Sequence, residues 1–397
     1  MPDISLIPFA GMNTEAEDAS LLIGGNNRRH YLRDAVNVNI TGAGKAELRP
    51  APLKVSDVPF RNIWQSPLHG DTFATVGNRW VRVDTGSWNY EELAIVGEGD
   101  AWHTVLNNMV VVAAPAGLFT FNGAQAERLA VDNPAQPFLT TGADGALPAG
   151  KYGVAVAWLR GEQESGLSEM AQADVPENGS IQVALPMAMD PSITGARLYM
   201  TSPNGGELRR EKDYPAGSGP IGIPVEPRLG AAAQFRYLSL MPTGKYLGYW
   251  RGRLVTATAN ILRFSEALAY HLHDERHGFV AMPQRITFVI PVAGGLWVGQ
   301  SDHVTFLRGS SPDGLAMERK ASKPPVPGSA ILADANALGA ELAQGGDGAA
   351  VWLAANGYVA GTAQGALVEL QRQVMGGITA EKGTSVVLED RLLTAVT

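Results

Sequence analysis

The feature that most limits what this chain can fold into is a run of short alternating segments, broken by tight turns and recurring at a steady interval. Trp80-Val81-Arg82-Val83-Asp84 alternates apolar and polar positions, and Asp84-Thr85-Gly86-Ser87 then turns the chain. Residues 109–112 read as a buried strand, Pro115-Ala116-Gly117 turns it, and residues 118–121 return. Asn122-Gly123 is expected to form a type I′ turn, because both residues accept positive φ. The pattern comes back at 253–264, 286–307 and 350–361, with Gly294-Gly295 and Asn356-Gly357 at turns. With 46 glycines and 25 prolines among 397 residues, long helices are excluded, since either residue weakens a helix interior. The sequence reads as all-β.

Units beginning near Phe60, Ala94, Lys245, Pro283 and Ser329 are each roughly 34–45 residues long, the length of a four-stranded propeller blade. One such sheet cannot bury both faces alone, so the units are expected to stack around an axis. The run from Thr384 to Val396 is too short for another blade. Residues 34–40 and Glu47-Leu48-Arg49-Pro50 could complete it, and joining first and last strands would leave no open edge. The expectation is a β-propeller of five or six blades. Residues 132–228 interrupt the repeat, opening with Pro134 and Pro137 and running through the Pro/Gly-rich 215–220. Their strands, such as 150–158, 181–185 and 195–201, suit an immunoglobulin- or fibronectin-like β-sandwich inserted between blades two and three. The expected domains are 1–131, with N-terminal strands and two blades, then the sandwich at 132–228, then the remaining propeller at 229–397, closing with the N-terminal strands.

Charge and motifs exclude more than they assign. A formal net charge of −8 disfavours broad phosphate binding. The basic clusters Arg28, Arg29, Arg33 and Arg209, Arg210, Lys212 read as solvated faces or carboxylate partners. With no Cys there is no thiol chemistry and no Cys-ligated metal. No secretory signal and no membrane span is expected, and a reducing cytoplasm fits as the site of synthesis. Gly145 to Lys151 has P-loop spacing, but Tyr152 stands where Ser or Thr should ligand magnesium and a strand follows. Gly299 to His303 lacks the second Gly of a nucleophile elbow. Glu91, Glu92, Glu162 and Glu164 could form a glycosidase pair only if two of them faced each other at the required separation. Asn39-Ile-Thr41 and Asn178-Gly-Ser180 match glycosylation acceptors, which without a secretory signal say nothing.

The one dense set of ligand-type residues is His271, His273 and His277 with Asp274 and Glu275. An H-x-H pair on a strand puts both imidazoles on one face, half of a zinc or iron site. The plainer alternative is a polar, loop-like connection whose histidines bond backbone or neighbouring carboxylates, and it is preferred. No catalytic, cofactor-binding or metal residue is therefore assigned, and no enzyme activity is expected. The eight tryptophans, almost one per unit, are expected to pack between blades, with any exposed subset free to stack on sugars or a partner.

Several segments together resemble tailed-bacteriophage tail proteins of the β-propeller type. They are Arg33-Asp34-Ala35-Val36-Asn37-Val38 with Glu47-Leu48-Arg49-Pro50, and the stretch from Gly252 through Ala257 to Arg263-Phe264-Ser265-Glu266-Ala267. Ile286-Thr287-Phe288, Gly295 to Gly299 and Phe306-Leu307-Arg308-Gly309 complete the pattern. The stretch Gly150-Lys151-Tyr152 to Glu164-Ser165-Gly166 is similar to the fibronectin-like inserts such proteins carry. The resemblance implies a structural virion protein, assembled in the host bacterial cytoplasm. It would form part of the tail conduit (nozzle) or distal tip used in DNA delivery. Implied partners are other tail proteins, further copies in a ring or trimer, a host surface receptor, and DNA in transit without specific binding. The alternative is a tail-tip adhesin for host polysaccharide or pilus, or, further off, a propeller glycan hydrolase.

Overall fold

The computed structural model describes residues 8–23, 29–51, 53–334, 338, 342, 348–388 and 391–397. The chain is all-β. Its main motif, found five times among the described residues, is a four-stranded antiparallel meander of propeller-blade type; each strand is bonded to the next in sequence, except that in the third meander the strand Leu272–Asp274 intervenes and pairs outside the sheet. The first comprises Arg61–Gln65, Thr72–Val76, Arg79–Val83 and Tyr90–Ile95. The second comprises Trp102–Leu106, Met109–Ala114, Gly117–Phe121 and Ala126–Arg128. Lys245–Trp250, Arg253–Thr258, Ile261–Phe264 and Phe279–Ala281 form the third. Ile286–Val292, Gly295–Gln300, Val304–Arg308 and Ala316–Lys320 form the fourth, and Ile331–Asp334, Gly348–Ala354, Gly357–Gly361 and Leu367–Glu369 the fifth.

Alternation along the central strands explains how these sheets stack. Val110 and Val112 point into a core shared with Phe73 and Trp80 of the first meander. Val111 and Ala113, one residue out of phase, point into a core with Leu247 and Leu254 of the third. The same division recurs: Leu296 and Val298 join Val255 and Phe264, whereas Trp297 joins Trp352 of the fifth meander. A strand buried on both faces must be apolar at consecutive positions, which is why 109–114, 295–300 and 348–354 are nearly continuous apolar runs. The fourth strand of the first, second, third and fourth meanders is largely exposed, as an outer edge should be.

The turns follow local chemistry, with one correction. The type I′ turn lies at Asn107-Asn108, with φ of 46° and 61°, linking the first two strands of the second meander. At Asn122-Gly123 only the glycine has positive φ. Asn122 Oδ1 instead accepts the amides of Ala124 and Gln125 at 2.9 and 2.8 Å, closing a longer loop.

Between the second and third meanders lies a separate unit. One sheet holds Phe138–Leu147, Gly179–Ala184 and Ile221–Ile223. The other holds Gln163–Glu164, Gly150–Arg160, Gly195–Met200 and Arg209–Pro215, with Ala171–Val175 also paired to Gly150–Arg160. Both contribute to one core that includes Leu147, Val154, Val156, Ile181, Val183 and Leu198.

Among the described residues the two ends of the chain do not share a sheet. Val38–Ile40 pairs with Ala46–Leu48, and Gly383–Leu388 with Arg391–Val396, as two separate ribbons. The expected joining of first and last strands is therefore not the observed closure. The early ribbon is only three residues per strand, one strand half-buried and the other exposed, too short to define a register against a further partner. The C-terminal ribbon instead packs Leu392 against Val351 and Ala360 of the fifth meander. Thr14 clasps the segment beyond that meander: its amide donates to Val374 O at 2.9 Å, and its hydroxyl accepts the Gly376 amide at 2.9 Å.

Candidate functional site

The first strand of the third meander touches the first strands of both the second and the fourth. A cavity of about 970 Å³ opens there between the third, fourth and fifth meanders and residues 378–380. Two of the strands that build it are irregular. A register shift between Lys245 and Gly248 holds Tyr246 at φ 58°, a left-handed conformation that is strained for a bulky side chain. A second shift between Ile286 and Phe288 falls at Thr287, whose hydroxyl is buried and without a hydrogen-bond partner. Both residues line the cavity.

Its charged lining is wholly cationic: Lys245 and Arg285, with no carboxylate. The Arg285 side chain is exposed and, among the described residues, makes no ion pair. Lys245 Nζ lies 3.2 Å from Asp100 Oδ2, and Lys382 Nζ lies 3.4 Å from Asp100 Oδ1. Burial pulls the Asp100 carboxyl upward, but the two ammonium groups together outweigh it and hold it below its ordinary value. Burial, reinforced by the Asp100 charge, pushes the Tyr246 phenol up to about 12, so it stays neutral near pH 7. The strap 378–383 is pinned by the Ile378 amide to Ala355 O at 3.0 Å and the Gly383 amide to Pro327 O at 2.8 Å. Neither Lys245 nor Arg285 stood out in the sequence. Each is a lone cation at the start of a meander, a position that carries no motif.

The histidines that did stand out are separated by the fold. Residues 272–274 form a strand, not a loop, paired with Leu238–Leu240. His271 Nε2 lies 2.9 Å from Glu164 O, and buried His273 Nδ1 lies 2.9 Å from Phe264 O. His277 is exposed. Among the described residues no group of three His, Cys, Asp or Glu is placed to hold a metal.

The other sequence candidates are held in structural contacts. Gly145 to Lys151 spans a strand-to-strand connection, with the Lys151 amide bonded to Asn204 Oδ1 at 3.0 Å. His303 Nδ1 lies 2.6 Å from Asp302, but its Nε2 faces Gln300 Nε2 at 2.9 Å, so Ser301 has no base. Glu92 pairs with Arg79, and Glu91 with Arg82 at 2.7 Å. Glu164 is buried, accepting the Tyr199 hydroxyl at 2.6 Å and pairing with Arg197, which also holds Asp213 at 2.8 Å. Arg33 pairs with Asp18, Arg209 with Glu207, and Arg210 with Asp213, whereas Arg28 lies outside the described residues. Trp80, Trp158, Trp250, Trp297 and Trp352 are buried, and Trp64, Trp88 and Trp102 half-buried, leaving none exposed.

No family model and no curated protein matches the chain. Among solved structures it is similar to Kluyveromyces lactis Hsv2, at 7% identity and a TM-score of 0.32 over 85% of this chain and 90% of that one. It is also similar to the extracellular domain of the putative one component system BT4673 from B. thetaiotaomicron, at 9% identity and a TM-score of 0.21 over 86% of this chain and 56% of that one. Likenesses this distant carry no argument, and the fold stands on its own sheets.

Proposed function

We propose that the protein is a non-enzymatic structural subunit of a bacteriophage tail, built as a five- or six-bladed propeller with an immunoglobulin- or fibronectin-like insert. It assembles with copies of itself and other tail proteins at the conduit or tip. The observation that carries assembly is the C-terminal ribbon. Val386, Leu388, Leu393 and Val396 are 40–55% exposed on a two-stranded sheet, which is marginal in water by itself and keeps unpaired edges. Apolar groups on such a ribbon favour a covering partner. The insert adds exposed Phe138, Met187 and Met189. Tyr152, near the start of its strand, donates its hydroxyl to Pro148 O at 3.0 Å, a contact of the tyrosine-corner kind that supports the immunoglobulin-like reading. The sequence resemblance supplies the tail.

Among the described residues no helix is long and apolar enough to cross a membrane. Light scattering on the purified chain, alone and as Val386→Lys/Leu388→Lys, tests assembly: an oligomer is expected for the first and a monomer for the second. A wild-type monomer at about 100 μM, well above the Kd range of stable interfaces, would remove assembly through the ribbon. Electron microscopy of virions labelled against the protein tests its place, and particles without it would end the tail reading.

A further inference from the structure

We infer that the cavity between the third, fourth and fifth meanders is a binding site for a small, hydroxyl-bearing anion, a sugar acid or a sugar phosphate. Lys245 and Arg285 would meet its charge. The volume of about 970 Å³ suits a ligand of mono- to disaccharide size with room for water. The charged lining is of one sign, and among the described residues Arg285 has no ion pair to give up before it binds. A guanidinium can bond two oxygens of a carboxylate or phosphate at once. Lys245 is shared with Asp100, but Asp100 has Lys382 as a second partner, so Lys245 can turn inward without leaving that carboxylate unpaired.

The uncharged lining favours hydroxyls. Thr258 and Ser301 are exposed in the cavity wall, and the Thr287 hydroxyl is buried with no partner. Buried polar groups are nearly always bonded, and those that are not mark functional or solvent positions. Ile286, Val326 and Ile378 give the wall apolar patches against which a sugar ring can lie. Strain at Tyr246 and the irregular register of both wall strands fall at this one place, as bulges beside binding sites commonly do.

The test is isothermal titration calorimetry of the full chain with glucuronate, glucose 6-phosphate and glucose, repeated on Arg285→Gln. One or both anions should bind with a Kd of about 1 mM or tighter, and glucose should not. Arg285→Gln should weaken binding about tenfold or more, the loss expected for one charge-assisted contact, while its circular dichroism stays that of the wild type because Arg285 is exposed. Binding of glucuronate alone would assign a carboxylate ligand, and of glucose 6-phosphate alone a phosphate. Failure of both anions, equal binding of glucose, or an unchanged affinity in a folded Arg285→Gln would overturn the site.

Discussion

Acidification should weaken this fold through His103, and the size of the effect can be worked out. The imidazole stacks on Trp64, with ring centres 5.2 Å apart and planes 7° from parallel. Its Nε2 accepts the Trp80 indole N–H at 3.1 Å, so the ring must be neutral with its proton on Nδ1. Protonation would place a second donor against the indole and a charge in the apolar space around Phe73 and Phe121. Desolvation accordingly lowers its pKa from 6.5 to about 3.

The sign follows from proton counts. Between those two values the unfolded chain binds a proton that the folded chain refuses, so the stabilisation present above pH 6.5 is lost as pH falls toward 3. Integration from pH 7 to 5 gives about 2 kcal/mol, an upper value because part of the ring still meets solvent. Urea unfolding at pH 7 and 5 measures it. His103→Gln keeps an acceptor for Trp80 but cannot take up the proton. The variant should be less stable at pH 7 by about 1 kcal/mol, from the lost stacking, yet lose about 2 kcal/mol less than the wild type on going to pH 5. Labelled-histidine NMR should show no protonation of His103 above pH 5. Equal acid sensitivity in variant and wild type, or titration of His103 near 6.5, would refute the reasoning.

Three further outcomes follow from contacts elsewhere. Glu164→Ala should cost about 1–3 kcal/mol, because Tyr199 would lose its buried acceptor while Arg197 keeps Asp213; a thermal midpoint equal to that of wild type would contradict this. Gly166→Ala should loosen the 163–168 segment from the approach to the third meander, since a Cβ there falls 1.9 Å from Leu238 O. Faster hydrogen exchange confined to the region of residues 133, 166–168, 238 and 271 is the expected readout. Gly361→Ala should destabilise the fifth meander by about 1–3 kcal/mol, because its Cβ would meet the Trp297 indole at 2.4–2.8 Å, and a calorimetric scan matching wild type would count against that packing.

The all-β character, the strands and the approximate places of the meanders are legible in the sequence. Those follow from alternation, turn residues and continuous apolar runs, which are local signals. Residues 109–112 read as a buried strand, but the sequence does not show that its alternate residues meet Trp80 on one side and Leu254 on the other. At Asn122-Gly123 an Asx loop forms where a type I′ turn is expected, because both draw on the same residues. The histidines were conspicuous only because they are adjacent in sequence. The fold sends His271 to Glu164 and His273 to Phe264, so proximity along the chain did not become convergence in space. Lys245 meets Arg285 and Thr287 although about forty residues separate them, because meander stacking brings the starts of separate strands to one place. Strand identity depends on neighbours two residues away, whereas a site depends on which strand ends the stacked sheets bring together, and only the tertiary structure decides that.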